Sequence, residues 1–286
     1  MIDTSFLNQL DKFNLIVRKR VVSKYSGPRK SVAIGRGLLF KEHRIYAPGD
    51  DIRSIDWKVY ARTDDLYVKT YEEERNLVVH IIVDHSASMN FGNKIKKFDY
   101  ASMLGVGFAY LAMKENEKFQ FSTFSEGIEV FQPKKGMGQL ISMIDHLNSL
   151  KAEGNSRLKD AIQQYKRFIG SRALIVLISD FLVPIDEIRD SLYVLGKQEV
   201  KVIQVLDPVE KELKLRGDFR LKDSETGEKL RTYISPRLRM KYMEMLENHS
   251  KRIEETCNRL GHEFYLITTD IPIFDAFYSI LYNNQG

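Results

Sequence analysis

The sequence lacks the features of a disulfide-bonded, secreted or membrane-spanning protein. It has one cysteine among 286 residues, which excludes an intrachain disulfide framework. No apolar run approaches the roughly 20 residues that a membrane-spanning helix needs, and the nearest, ALIVLISDFLV at 173–183, contains Asp180. The opening MIDTSFLNQLDKF has no basic segment followed by an apolar one, so no signal peptide is predicted. Together these absences predict a cytoplasmic protein without a transmembrane segment.

Motifs of several enzyme classes are also missing. There is no G-x-x-x-x-G-K-[ST] stretch, so the chain is not predicted to hydrolyse ATP. The six histidines are scattered, with no H-E-x-x-H and no Cys/His cluster, which argues against zinc. Ser86, His85 and Asp180 supply the residue types of a nucleophilic triad, but adjacent residues seldom face each other and no G-x-S-x-G elbow is present. We therefore expect no catalytic residues, and a hydrolase is the less favoured alternative.

Positive charge is concentrated near the N-terminus. Residues 12–44 contain ten Lys or Arg and one acidic residue, a net charge of +9 within a chain whose total is +5, so the rest carries −4. Such a segment is either a solvated surface or a patch that faces nucleic acid, acidic lipid or an acidic partner. No recognised nucleic-acid-binding module accompanies it, so binding of nucleic acid or another acidic surface through residues 12–44 is an alternative function, not the main prediction.

From residue 77 onward, apolar strand candidates alternate with helical stretches. The strands are expected at 77–83, 118–124, 172–179, 200–206 and 263–268, and the helices near 94–115, 138–149, 156–169, 185–197 and 236–260. A short strand at 127–131 is expected to form an antiparallel edge. Near-continuously apolar strands that alternate with helices indicate an α/β fold, a doubly wound and mostly parallel sheet with helices on both faces. A β excursion is predicted at about 210–234, where Gly217 and Gly227 mark turns.

The first quarter of the chain does not follow this rhythm. Phe6, Leu10, Phe13 and Val17 recur at helical spacing and predict a helix over about residues 4–20. Short β-like pieces follow, and the alternation of Ile55, Trp57 and Val59 suggests that one of them is a strand. We therefore divide the chain into an N-terminal elaboration, residues 1–75, and a main domain, residues 76–286, with the β insertion near 210–234.

Three oxygen-bearing side chains follow the first strand of the main domain at a spacing of two: Asp84, Ser86 and Ser88. In an open parallel sheet, ligands bind beyond the carboxyl ends of the strands. Asp180 ends a second strand that is expected to be a neighbour, and Ser156 precedes a helix in the intervening loop. One or two carboxylates and several hydroxyls form a hard-oxygen set suited to Mg²⁺ or Mn²⁺. The same residue types also cap helices and close turns, which is the structural alternative for each residue taken singly.

The stretch DHSAS at 84–88 resembles the D-x-S-x-S signature of the von Willebrand factor A-type domain. Ser156 stands where that family has a Thr, and Asp180 stands where it has an Asp after a later strand. The wider sequence, including HRIYAPGDDIRSIDWKVYARTDDLYVKTYEEERN, VLDPVEKEL and FYLITTD, resembles the family called domain of unknown function 58 over roughly residues 35–282. The departures are the serine at 156, SDF at 179–181 in place of TDG, and the bulky His85 between the candidate ligands.

This resemblance implies a fold, a site and a class of partner. It implies a von Willebrand factor A-like fold and a metal-ion-dependent adhesion site made by Asp84, Ser86, Ser88, Ser156 and Asp180. Ser86 and Ser88 would bind Mg²⁺ or Mn²⁺ directly, the two aspartates would act through water, and a partner's Asp or Glu would complete the coordination. The partner that it implies is a MoxR-type AAA+ ATPase, a client protein, or both. We therefore predict a metal-dependent protein–protein interaction module that acts as an adaptor of such an ATPase.

Overall fold

A computed structural model describes residues 5–7, 10, 39–48, 50, 52, 55–72, 77–170, 173–196, 198–225 and 227–282. The predicted helix over residues 4–20 and the basic segment 12–44 therefore fall largely outside the described residues. Contacts divide the chain into two compact units, residues 16–76 and residues 1–15 together with 77–286. Among the residues described, no helix is both long enough and apolar enough to cross a membrane.

The smaller unit contains an antiparallel strand pair and one short helix. β1 (Leu39–Ile45) pairs with β2 (Tyr67–Glu72), and α1 (Trp57–Thr63) lies between them in sequence. The strand suggested by the alternation at Ile55, Trp57 and Val59 is wrong, because the last two belong to α1 and only Ile55 forms a β-bridge, with Val68. The physical reason is the cap: the Asp56 side chain accepts a hydrogen bond from the Lys58 N–H at 3.0 Å and starts a helix there.

The larger unit is built on a six-stranded sheet. In spatial order its strands are β10 (Glu263–Thr268), β7 (Glu199–Leu206), β6 (Ala173–Ser179), β3 (Val78–Asp84), β4 (Lys118–Phe124) and β5 (Ile128–Val130). All neighbours are parallel except β4 and β5, which are antiparallel. The strand order reverses at β3, so the loops after β3 and β6 meet at one edge. A separate hairpin pairs β8 (Gly217–Lys222) with β9 (Lys229–Ile234).

Helices cover both faces of this sheet. They are α2 (Lys97–Lys114), α3 (Met137–Ser149), α4 (Leu158–Tyr165), α5 (Ile185–Leu195), α6 (Pro208–Glu212), α7 (Pro236–Leu260) and α8 (Ile273–Tyr282). Ile82 joins the core formed with α4, α5 and α7, whereas its neighbours Ile81 and Val83 face Gly105 of α2. Because successive strand residues point to opposite faces, both faces of β3 are buried. The predicted fold class, including the antiparallel edge and the β excursion, is confirmed.

Helices α2 and α8 approach each other closely at Gly107. A Cβ atom at this position would lie 2.6 Å from Cε2 of Phe277, well inside van der Waals contact. We expect Gly107→Ala to destabilise the protein in urea unfolding, because overpacking costs about 1–3 kcal/mol and helix propensity returns only about 1 kcal/mol. Gly138→Ala in α3 is the matched control, since a Cβ there meets nothing within 4 Å. Equal stability changes in the two variants would contradict this account.

A candidate metal-ion site at the carboxyl edge of the sheet

The end of β3 brings a buried carboxylate next to the end of β6. Val83 pairs with Ile178 in parallel register, so Asp84 and Ser179 lie side by side where the two strands end. Asp84 is fully buried, and Asp180 is 1% exposed. The strand order therefore places Asp84 and Asp180 at the ends of neighbouring strands, as the sequence predicted.

The oxygens of Asp84 accept hydrogen bonds from two loops and from the last residue of β6. Oδ1 accepts a hydrogen bond from the Ser86 N–H at 2.8 Å, and Oδ2 accepts from the hydroxyls of Ser179 at 2.7 Å and Ser156 at 3.1 Å. Ser86 Oγ lies 3.2 Å from Ser88 Oγ. The structure thus brings Asp84, Ser86, Ser88 and Ser156 into one hydrogen-bonded group. The 152–156 loop is also held there by its backbone, since Gly154 O accepts from the Ala87 N–H at 2.8 Å.

The electrostatics of this group disfavour a second buried negative charge. Burial and, to a smaller extent, the neighbouring Asp180 carboxylate raise the pKa of Asp84 to about 6, against the opposing hydrogen bonds from Ser179 and Ser86. A carboxylate taken out of water without a compensating charge is costly. A cation at this edge would relieve both the burial cost and the repulsion between the two aspartates.

A lysine already compensates part of this charge. Lys97, the first residue of α2, is completely buried, and its Nζ lies 2.8 Å from Asp180 Oδ2 and 2.7 Å from Glu210 Oε1. Burial acts to lower the pKa of Lys97, but the two carboxylates outweigh it and the pKa is raised. Asp180 Oδ1 accepts from the Leu182 N–H at 3.2 Å. Both carboxylate oxygens of Asp180 therefore have protein partners, which favours a role through water over direct coordination.

The residues present fit a hard divalent cation. The buried group formed by Asp84, Asp180, Glu210 and Lys97 has three carboxylates against one ammonium, and the adjoining hydroxyls of Ser86 and Ser88 are oxygen ligands of the kind that Mg²⁺ accepts together with water. Within the described ranges, no group of three or more His, Cys, Asp or Glu side chains is arranged to hold a metal ion. A cation here would therefore depend on the serine hydroxyls and on water molecules.

The residues of the alternative triad do not share hydrogen bonds. His85 Nε2 lies 3.2 Å from Ser125 Oγ, whereas the Ser86 hydroxyl contacts Ser88. Asp180 pairs with Lys97. The three side chains thus have different partners and do not form the hydrogen-bonded chain of a nucleophile with its base.

Three residues of this edge were not predicted from sequence: Ser179, Lys97 and Glu210. Ser179 had the clearest signal, because it directly precedes Asp180 at a strand end. Glu210 belongs to the capping box of α6, where its Oε2 accepts from the Asp207 N–H at 3.1 Å. Lys97 has no local signal, because nothing in the sequence around it indicates that the first residue of its helix is buried.

Two features define a von Willebrand factor A-like domain. They are the strand order with one antiparallel edge strand and the D-x-S-x-S loop at the carboxyl edge of the sheet. The chain belongs to the family described as "Protein of unknown function DUF58", whose model matches residues 42–252. An uncharacterized protein of Mycobacterium bovis is 28% identical over 274 residues, which cover 94% of this chain and 86% of that protein. One from Mycobacterium avium is 34% identical over 113 residues, 40% of this chain and 67% of that protein.

Two solved structures show a low level of similarity to this chain. The conserved hypothetical protein BatB from Bacteroides thetaiotaomicron is 14% identical and aligns over 72% of this chain and 98% of its own, with a TM-score of 0.46. The VWA domain of SpRpn10 is also 14% identical, over 71% of this chain and 94% of its own, with a TM-score of 0.45.

Proposed function

We propose that this protein is a metal-dependent protein-interaction module and not an enzyme. Ser86 and Ser88 would coordinate Mg²⁺ or Mn²⁺, with Ser156 as a further hydroxyl ligand and Asp84 and Asp180 acting through water. The cation would then bind an Asp or Glu of a partner protein. The observation that supports this most is the convergence of the Ser86 N–H and of the Ser156 and Ser179 hydroxyls on the fully buried Asp84 carboxylate.

The metal changes the energetics of such a contact. An exposed ion pair between two proteins contributes only about 0–1 kcal/mol, whereas a partly dehydrated divalent cation provides strong and directional bonds to carboxylate oxygen. We propose a MoxR-type AAA+ ATPase, or a client protein delivered to it, as the partner. This choice of partner rests on the family resemblance, and the chain itself supplies the binding edge.

Isothermal titration of Mg²⁺ and Mn²⁺ tests the site. We expect the wild-type protein to bind one ion and Ser86→Ala/Ser88→Ala to lose at least about tenfold in affinity. The matched control is Ser142→Ala/Ser149→Ala, which removes two exposed hydroxyls that donate to helical carbonyls in α3. Equal affinity in wild type and Ser86→Ala/Ser88→Ala would contradict the proposed ligands.

The same variants test the partner. Purified MoxR-type ATPase from the same organism is passed over each immobilised protein in Mg²⁺ and again in EDTA. We expect retention by wild type and by the α3 control in Mg²⁺ only, and no retention by Ser86→Ala/Ser88→Ala. Retention that is insensitive to EDTA and to these substitutions would place the interaction elsewhere on the protein.

A further inference from the structure

The β8–β9 hairpin has one face that is partly buried and one face that is exposed. Side chains alternate between the two faces along each strand. Ile234 is buried on the first face, and Phe219 and Thr232 are half-buried there. The opposite face carries four exposed cationic side chains, which we call the basic face of the hairpin: Arg220, Lys222, Lys229 and Arg231. These four side chains do not contribute to the packing of the hairpin.

The strand register places the cations of the basic face opposite one another. Arg220 pairs with Arg231, and Lys222 pairs with Lys229. Side chains directly opposite each other have Cβ atoms about 4.5–5.5 Å apart, and like charges in such a pair are destabilising. Two consecutive like-charge pairs are therefore unfavourable for the hairpin on its own. Binding of an anion across the two strands would remove this repulsion.

The protein neutralises only one of the four cations. Arg231 Nε donates to Asp218 Oδ2 at 3.0 Å, and Arg231 Nη2 contacts the same carboxylate. Across the part of the chain that the structure describes, the side chains of Arg220, Lys222 and Lys229 have no hydrogen bond or ion pair. The Arg231 pair shows that a carboxylate fits this face in the two-pronged geometry that guanidinium groups favour, and three further cations remain available to an external anion.

The spacing of the basic face matches that of an extended acidic segment. Arg220 and Lys222 are two residues apart on β8, a distance of about 6.7 Å along the strand. Lys229 and Arg231 repeat this distance on β9. Carboxylates at alternate positions of an extended peptide have the same separation. We propose that the basic face of the β8–β9 hairpin binds a segment of a partner protein that has Asp or Glu at alternate positions.

Acidic residues at both ends of the basic face favour a short acidic segment over nucleic acid. Asp218 lies at the end away from the turn, and the exposed Asp223 and Glu228 lie directly beyond the basic face at the turn. Nucleic acid carries negative charge uniformly along its length, so it would be repelled at both ends. A short acidic segment would contact the cations alone. This inference goes beyond the proposed function, because no metal ion takes part in it.

Fluorescence anisotropy with the full chain tests this surface, in EDTA so that no divalent ion contributes. The labelled ligands are the capped peptide SESESES, its uncharged analogue SQSQSQS, and the oligonucleotide (dT)4, whose three phosphates match the three carboxylates in charge. We compare wild type with Arg220→Gln/Lys229→Gln. The matched control is Lys251→Gln/Arg252→Gln, which removes the same two charges from exposed positions of α7.

We expect SESESES to bind wild type and the α7 control with similar affinity, and SQSQSQS to bind neither. Arg220→Gln/Lys229→Gln should bind SESESES roughly tenfold more weakly, because two charge contacts are lost. This variant leaves one cation in each pair, so its unfolding midpoint in urea should be no lower than that of the control. A lower midpoint would contradict the repulsion from which the proposal is argued.

Two further results would overturn the proposal. One is equal affinity of SESESES for all three proteins, or binding to none of them. The other is tighter binding of (dT)4 than of SESESES, or binding to phosphatidylserine vesicles without binding to SESESES, which would assign the basic face to nucleic acid or to lipid. Because EDTA is present throughout, each of these results leaves the metal site to be judged by its own titration.

Discussion

Lys97→Met is expected to lower the free energy of unfolding by about 3–5 kcal/mol, the range found when one partner of a buried ion pair is removed. Methionine has nearly the volume of the lysine stem, so the change removes charge and leaves the packing largely intact. Asp180 and Glu210 then lose their common cation in an environment where Asp84 already adds negative charge. Urea unfolding monitored by far-UV circular dichroism measures the loss.

Lys159→Met is the matched control for this variant. Lys159 also lies 2.7 Å from an aspartate, Asp190, but the side chains of that pair are 43% and 40% exposed. An exposed ion pair is screened by water, so we expect the unfolding midpoint to change little. Similar losses in the two lysine variants would show that the burial of Lys97 does not decide its contribution.

The Lys97→Met variant also links the stability of the protein to the proposed metal ion. Removing the Lys97 ammonium leaves the buried cluster more negative, so a divalent cation at Ser86 and Ser88 should be bound more tightly. A ligand that binds only the folded state stabilises it by mass action. We therefore expect Mg²⁺ to raise the unfolding midpoint of Lys97→Met by more than that of wild type, whereas an equal rise would argue against a cation next to Asp180.

The positions of Asp84, Ser86, Ser88 and Asp180 could be predicted because they depend on short-range features. Each follows a run of apolar residues long enough to be a buried strand, and parallel strands place their carboxyl ends at a common edge. The prediction of Ser156 as a site residue needed one further observation, which is its position before a helix in the loop between the two strands.

The charge balance of the site could not be predicted in this way. Lys97 and Asp180 are 83 positions apart, and Lys97 and Glu210 are 113 apart. A lysine at the start of a helix ordinarily faces solvent, and only the packing of α2 against the sheet turns this one inward.

The strand that was wrongly predicted at Trp57 and Val59 has a different explanation. Two-residue alternation over a short stretch is weak evidence for a strand, since a helix of seven residues can show it by chance. The N-cap at Asp56 is a stronger local signal because it satisfies a backbone donor of the first turn. Side-chain capping should therefore outweigh alternation when a candidate strand is only five residues long.

Acidification below pH 6.5 is expected to destabilise the protein through His80. This residue lies in the middle of β3 and is 1% exposed, and its Nδ1 lies 2.7 Å from the Tyr165 hydroxyl. Burial lowers the pKa of His80 from 6.5 to about 4, against a smaller opposing effect of Gln120. The folded state therefore keeps His80 neutral at a pH where the unfolded chain takes up a proton.

The sign and size of the effect follow from proton linkage. Because the pKa is lower in the folded state, the stability that depends on neutral His80 is fully present above pH 6.5 and is lost as the pH falls toward 4. Each pKa unit corresponds to about 1.4 kcal/mol, so the total loss from this residue is about 3 kcal/mol. Urea unfolding at half-unit steps from pH 7.5 to pH 4.5 measures the dependence.

Two variants separate His80 from the other groups that titrate in this range. His80→Gln keeps a neutral, hydrogen-bonding side chain, so it should be less stable than wild type at pH 7.5 and should lose less stability on acidification. Tyr165→Phe removes the hydroxyl partner but keeps His80 buried, so it should retain the wild-type slope if burial is the dominant cause. A slope unchanged in His80→Gln would contradict the assignment to His80, and Asp84 could not replace it, because a carboxyl whose pKa is raised by burial gains stability on acidification.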